Sequence, residues 1–225
     1  MRSEGGKHDY YSNGDYWWPN PDTPDGLPYI RRDGESNPGA FTAHREAMRA
    51  MRTHTANLAA GYAVTGRRVY ADKTAALLRA FFLNESTRMN PHLRYAQAIP
   101  GICSGRGVGI IDTLHLIDIP AAVEAIETSG ALSAGDCGQL RSWFADYLER
   151  MLTHPYGKKE RDENNNHAVC WLVQAAAFAS FTGNASVTAL CREWYNPCCS
   201  LRRWRRTAAS RGNWRIQSLT GTPFL

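Results

Sequence analysis

R-D-E-N-N-N-H-A-V-C-W, residues 161–171, is the stretch on which the reading of this chain turns. Three amides, Asn164, Asn165 and Asn166, stand directly before His167, and an apolar run from Val169 to Ser180 follows at once. Asparagine is a strong helix N-cap, because its side-chain oxygen accepts one of the unpaired first-turn N–H groups. His167 is therefore predicted in or beside the first turn of a helix. There the unpaired N–H groups and the positive end of the helix dipole favour an anion. Amide donors, an imidazole and a helix start together make a device suited to a carboxylate. The plainer reading of the same residues is a capped helix whose His167 packs against Trp171 one turn later, and the local sequence alone favours it.

Helical spacing extends over most of the chain upstream. From Ser133, a predicted N-cap, to His154, the residues Leu140, Trp143, Phe144, Tyr147, Leu148 and Met151 recur at intervals of three and four, the mark of one apolar helix face. Phe41 to Val64 carries Met48, Met51, Thr55, Leu58, Ala59 and Tyr62 at similar spacing, and Gly66 suits a left-handed C-cap. Val69 to Phe82 predicts a second helix with Tyr70, Ala76, Leu77, Ala80 and Phe81 inward. Gly109 to Ser129 predicts a further one that Pro120 kinks or splits. Val169 to Phe181 and Val187 to Tyr195 complete the helices. Residues 84–107 form a long irregular connection, of a length at which loops are usually functional or disordered. No segment alternates convincingly at period two, so the fold class is all-α, built from antiparallel helical hairpins wound side by side.

Residues 1–40, rich in Gly, Pro, Asn and Asp, cannot sustain a helix and read as an irregular arm. The arm nevertheless holds Tyr10, Tyr11, Tyr16, Trp17, Trp18 and Tyr29. Aromatic faces stack on the apolar faces of sugar rings, and anchoring of the arm to the helices explains the same residues equally well. Neighbours in an extended segment point to opposite sides, so Trp17 and Trp18 can serve both ends.

With 225 residues, 43% hydrophobic and 21% charged, the chain can bury one core in one domain. The formal net charge of +5 suits an acidic ligand, but six arginines without an acidic residue between Leu201 and Arg215 account for all of it. That run, with Trp204 and Trp214, has the composition of a nucleic-acid contact, yet no recognisable nucleic-acid-binding fold accompanies it, so no such partner is expected. Cysteines at 103, 137, 170, 191, 198 and 199 make neither a C-x-x-C pair nor a disulfide framework; no zinc site is expected, and Cys170 reads as a buried free thiol. No segment is long and apolar enough to cross a membrane, and Met1 to Glu4 leads into polar sequence without a signal peptide. The G-x-G-x-G of Gly105, Gly107 and Gly109 lacks the strand and spacing of a dinucleotide fingerprint.

N-N-H followed by Trp at this spacing resembles the signature of the alginate lyase family of polysaccharide lyases. Four more blocks agree in order: Y-Y-S-N-G-D-Y-W-W-P-N-P (10–21), G-L-P-Y-I-R-R-D-G-E (26–35), N-P-H-L-R-Y-A-Q-A-I-P-G (90–101) and C-S-G-R-G-V-G-I-I-D (103–112). The resemblance runs from about His8 to about Tyr195. It implies an incomplete (α/α) toroid over 41–195 whose rim loops line a polysaccharide groove. It also implies β-elimination on alginate or a related polyuronate, a periplasmic or secreted location, and neither a redox cofactor nor an obligatory metal. Asn166 and His167 match the family residues that serve at the sugar carboxylate. Tyr95, Gln97 and Arg106, in matching blocks, and Trp17, Trp18 and Trp171 become candidates for substrate contact; hydrogen bonds that merely hold the loop explain the first three as well.

The family's mechanism also needs a tyrosine as acid and base with an arginine close by. Both lie in a downstream segment that usually reads like D-G-S-F-P-x-E-L-A followed by K-P-Y. No such segment follows Tyr195, where helical periodicity stops and Arg and Trp accumulate. Read in the other frame, starting two bases into Asn196, the tail can with suitable synonymous codons encode S-V-L-L-P-E-A-M-A-A-D-G-S-F-P-R-E-L-A-N-T-K-P-Y-R-Y-S-L-F. We therefore expect a reading frame shifted near Asn196 and a non-native tail over 196–225. The chain would then be a lyase that keeps the carboxylate-neutralising half of its site without the proton-transfer half. Tyr95 and Tyr147 are available to replace the base, although no spacing places either opposite His167. The alternative from a different class is a non-catalytic carbohydrate-binding helical protein.

Overall fold

A computed structural model describes residues 5–199, with side chains as far as Tyr195; residues 200–225, most of the expected out-of-frame tail, lie outside the described residues. Three short strands come first, β1 (Tyr11–Asn13), β2 (Trp17–Trp18) and β3 (Ile30–Arg31). Two helices follow, α1 (Ala43–Thr65) and α2 (Arg68–Leu78), the second running into a π-helical turn, Arg79–Leu83. Then come β4 (Tyr95–Ala98), a 3-10 stretch (Gly107–Ile117) and α3 (Asp118–Glu127). The described chain ends with α4 (Ala134–Thr153), α5 (Pro155–Arg161), α6 (Asn166–Phe181) and α7 (Ala185–Cys199). The molecule is predominantly helical, as the periodicity predicts. The strands were not predicted, because two or three residues are too few to show alternation. They nevertheless matter: β1 pairs in parallel with β4, Tyr11 opposite Tyr95, and so stitches the arm to the long connection. Trp17 and Trp18 of β2 face Arg31 and Ile30 of β3.

Caps behave as the sequence demands. Ser133 forms a full capping box with Asp136, and Gly66 closes α1 at φ 65°, a left-handed conformation open to glycine at no steric cost. Pro120 does not kink a helix. It stands in the first turn of α3, where its missing N–H would be unpaired anyway, and the preceding residues wind as 3-10 instead. The inward face of α2 is one residue off the predicted one: Ala71, Thr74, Ala75, Leu78 and then Phe82 are buried, whereas Ala76 and Ala80 are exposed. Paired apolar residues (Ala75–Ala76, Phe81–Phe82) draw two stripes a residue apart, and only packing chooses between them. The helix α5 was not predicted; it starts at Pro155, the favoured first position, with His154 Nδ1 accepting from the Tyr156 N–H.

The core is one continuous cluster. Its aromatic centre joins Trp143, Phe144 and Tyr147 of α4 to Phe82 and to Phe178 and Phe181 of α6, with ring centroids 4.8 to 5.8 Å apart. Trp143 Nε1 donates to the Met89 carbonyl at 2.7 Å, so the 84–107 connection is bolted to α4. Tyr147 is fully buried with its hydroxyl 2.6 Å from Thr113 Oγ1, and burial pushes its pKa up. It is a core residue, which removes it as a replacement base. Phe144→Ala should cost about 3–5 kcal/mol, the usual range for an aromatic truncation in a packed core. Urea unfolding checks this, and a loss below about 1 kcal/mol would contradict the packing described.

Candidate active site

The site is built around three glycines. A Cβ on Gly105 would lie 1.9 Å from the Arg94 carbonyl oxygen, and one on Gly109 2.4 Å from Ala96 Cβ. At Gly107 it would meet the Tyr156 carbonyl at 3.0 Å and Glu160 Oε1 at 3.5 Å. The G-x-G-x-G run is thus a close-approach device that threads one backbone between β4 and α5. Arg106, between the first two glycines, is fixed by that threading. Its N–H donates to the Ala96 carbonyl at 2.9 Å and its Nε to the Gln97 carbonyl at 2.8 Å.

Gln97 can offer that carbonyl because its backbone is strained. At φ 56° it is the one non-glycine residue with positive φ among the described residues, a conformation that persists only when its surroundings enforce it. They do: the Gln97 N–H donates to Ser12 Oγ at 2.9 Å and Nε2 to Asp112 Oδ1 at 3.1 Å. Asp112 Oδ2 also accepts from Tyr10 at 3.0 Å and Ser12 at 2.7 Å. Ser12, Gln97 and Asp112 are all buried. Asp112 therefore receives three donors from two distant segments, which satisfy its buried oxygens.

His167 stands at the second position of α6, as predicted, with its N–H donated to Asn165 Oδ1 at 2.8 Å. Asn165 is the cap and Asn166, exposed, is the first helical residue. Behind the imidazole, Nδ1 is 2.8 Å from Glu160 Oε2, whose side chain is only 4% exposed. That hydrogen bond raises the His167 pKa against the opposing effect of burial. A group so raised stabilises the fold fully below its ordinary value of 6.5, and the contribution is lost as pH climbs through the higher folded value. The front of the ring opens on a cleft of about 340 Å³ lined by Cys103, Arg106, Tyr156, Lys159, Glu160 and His167, among others. Burial lowers the Arg106 pKa from its ordinary value, but an arginine remains charged. A smaller cavity of about 30 Å³, among His92, Arg94, Arg150 and His154, is water-sized and too small for a sugar.

The expected residues divide. His167 and Arg106 share the cleft; Asn166, exposed at the helix start, does not line it, whereas its neighbour Asn165 does. Trp17 leans on Arg106, whose guanidinium carbon is 5.9 Å from the ring centroid; Gly14 permits this, since its Cβ would be 2.7 Å from Arg106 Nη2. Trp18 turns the other way, under Arg32 at 4.8 Å, with Nε1 donated to the Glu35 carbonyl. Gln97 is buried behind Arg106, so it supports the cleft where direct substrate contact was expected. Tyr95 is half-buried beside Arg94 and does not line the cleft. Trp171 must be corrected: it is 1% exposed, donates Nε1 to the Met151 carbonyl at 3.3 Å and packs on Trp194, so it belongs to the core and not to a sugar contact. Cys170 is a free thiol, half-buried where full burial was expected. Glu160 was missed, because α5 was missed. The signal was there in P-Y-G-K-K-E-R, a proline-started turn that places Glu160 seven residues before His167.

Comparison with known proteins bears on this geometry. The sequence model of the alginate lyase family matches residues 1–197. A solved structure of an alginate lyase from Bacteroides ovatus is similar at 37% identity with a TM-score of 0.82, over 88% of this chain and 53% of that one. The chain thus spans about half the length of that relative. Comparison with curated proteins finds no match.

Asp112→Ala would strand three buried donors and should cost about 2–4 kcal/mol, whereas Asp112→Asn, which keeps one acceptor oxygen, should cost clearly less. Thermal denaturation of the two variants decides this; equal losses would mean that the network does not hold Gln97 as described.

Proposed function

Because the chain belongs to the alginate lyase family, we propose that its cleft is the carboxylate-holding part of a polysaccharide lyase site acting on alginate or a related polyuronate. The reaction is β-elimination. A base takes the proton at C5 of the uronic sugar, the C4–O bond breaks, a C4=C5 double bond forms, and an acid protonates the departing oxygen. The C5 proton is barely acidic while the neighbouring carboxylate keeps its full negative charge. Donors aimed at that carboxylate stabilise the dianion that develops, which is electrostatic catalysis. His167 and Asn166 take this role, at a helix N-terminus that already favours an anion. One observation carries the reading: the His167 ring and the Arg106 guanidinium line the same open cleft, each held from behind by buried groups. Trp17, seated against Arg106, offers a ring face to a sugar at its edge, and Trp18 holds the arm.

The helix pairs are the hairpins of an incomplete (α/α) toroid, and a periplasmic or secreted location follows the family. Among the described residues no helix is long and apolar enough to cross a membrane.

Proton transfer is the weak half. Of the described tyrosines, Tyr147 and Tyr10 are buried, and Tyr156, on the cleft, donates its hydroxyl to the Gly105 carbonyl at 2.9 Å. The family match ends at residue 197, where the expected frame shift begins. The chain with tail 196–225 therefore turns over little or no polymer, while a version with the frame restored after Asn196 does. Absorbance of the new double bond in the ultraviolet checks this, and equal rates for the two chains would refute it. The second reading, a carbohydrate-binding protein without turnover, fits the same half-site; it predicts oligouronate binding by both chains and product from neither.

A further inference from the structure

We infer that Glu160 is a positioning residue: its buried carboxylate holds Nδ1–H of His167 and thereby presents Nε2 to the cleft as a charged hydrogen-bond donor, which makes His167 a holder of the uronate carboxylate and not the base that takes the C5 proton. The inference rests on the polyuronate reading and adds the protonation state in which that site works.

The geometry is specific. Glu160 Oε2 lies 2.8 Å from Nδ1, and the Glu160 side chain makes no other hydrogen bond or ion pair among the described residues. Nε2 has no protein partner among the described residues and is not among the buried unpaired atoms. The backbone sets the arrangement: a Cβ on Gly157 would lie 2.0 Å from the Met151 carbonyl, and Gly107 lets the chain pass against Glu160, so α5 is wedged where its carboxylate reaches α6. A buried carboxylate is tolerable when paired, and the pair is most favourable with the imidazole protonated. An imidazolium has no lone pair to accept a proton, so it cannot act as the base; its Nε2–H is suited to a carboxylate oxygen. Other groups face His167 as well. Lys159 and Tyr156 come from α5, Glu163 from the turn before α6, and Cys103 and Arg106 from the glycine-rich segment; Cys170 follows on α6. Of these, Glu163 adds to the preference for the charged ring.

The test uses the full chain and needs no turnover. Long-range ¹H–¹⁵N NMR of the imidazole follows protonation and tautomer with pH, and calorimetry with a mannuronate or guluronate oligomer follows binding. In the wild-type chain His167 should titrate above the ordinary histidine value. Oligouronate affinity should fall as pH rises through that midpoint. Glu160→Gln should lower the midpoint and move the alkaline limit of binding down with it, leaving affinity about tenfold weaker near neutral pH, the size expected for one lost charged donor. Glu160→Asp should restore part of both effects. A wild-type His167 that titrates at or below the ordinary value overturns the inference whether or not the variants fold. So does a Glu160→Gln chain with an unmoved midpoint. A high midpoint that Glu160→Gln lowers, without oligouronate binding at any pH, supports the hold on the ring and overturns the polyuronate reading beneath it.

Discussion

Three backbones meet where Gly105, Gly107 and Gly109 lie, closer than a side chain at Gly105 or Gly109 would allow and tight against one at Gly107. That approach is the constraint from which the cleft follows. It lets the segment after β4 pass under α5, and it fixes Arg106 on one side and the Glu160-bearing helix on the other. A larger residue would push the elements apart, and Arg106 and His167 would no longer line one space. Packed interiors do not deform smoothly, so a shift of this kind is felt across the contact.

Around that crossing the chain accepts unfavourable local features, each compensated nearby. Asp112 and Glu160 are carboxylates taken out of water, and Gln97 keeps a left-handed backbone without being glycine. Each supports a group on the cleft, Gln97 and Glu160 directly and Asp112 through Gln97. Asp112 fixes Gln97, Gln97 fixes Arg106, and Glu160 fixes His167. Strained or buried polar groups persist only where their surroundings determine them fully, and here that determination holds Arg106 and His167 at one cleft.

The arm serves the same purpose from outside. Arg45 grips Asp15 with two hydrogen bonds at 2.6 and 2.9 Å, Phe41 is bonded to Asn13, and β1 adds to β4. An irregular segment without a core of its own is thereby made part of the site, with Trp17 laid against Arg106. The adjacent tryptophans of the arm divide: Trp17 lies against Arg106, and Trp18 lies against Arg32 and Glu35 within the arm.

Local rules sufficed for much of this. A 3.6-residue period marked α1 and α4 and named the buried face of α4 residue by residue, and an apolar run marked α6; Ser133, Gly66 and the run of asparagines before His167 declared helix ends through short-range hydrogen bonding and steric freedom. His167 at a helix start was legible for the same reason, since capping involves neighbours in sequence. What needed the tertiary structure is what depends on distance in the chain. Two stripes of α2 were equally apolar until packing chose one, and Trp171 was as good a sugar platform as Trp17 until α6 turned it inward. Glu160 had no visible purpose until α5 carried its carboxylate to His167. Sequence determines which groups are available and which turns they prefer; only the crossing of non-adjacent backbones decides which of them share a cleft and in what state of charge.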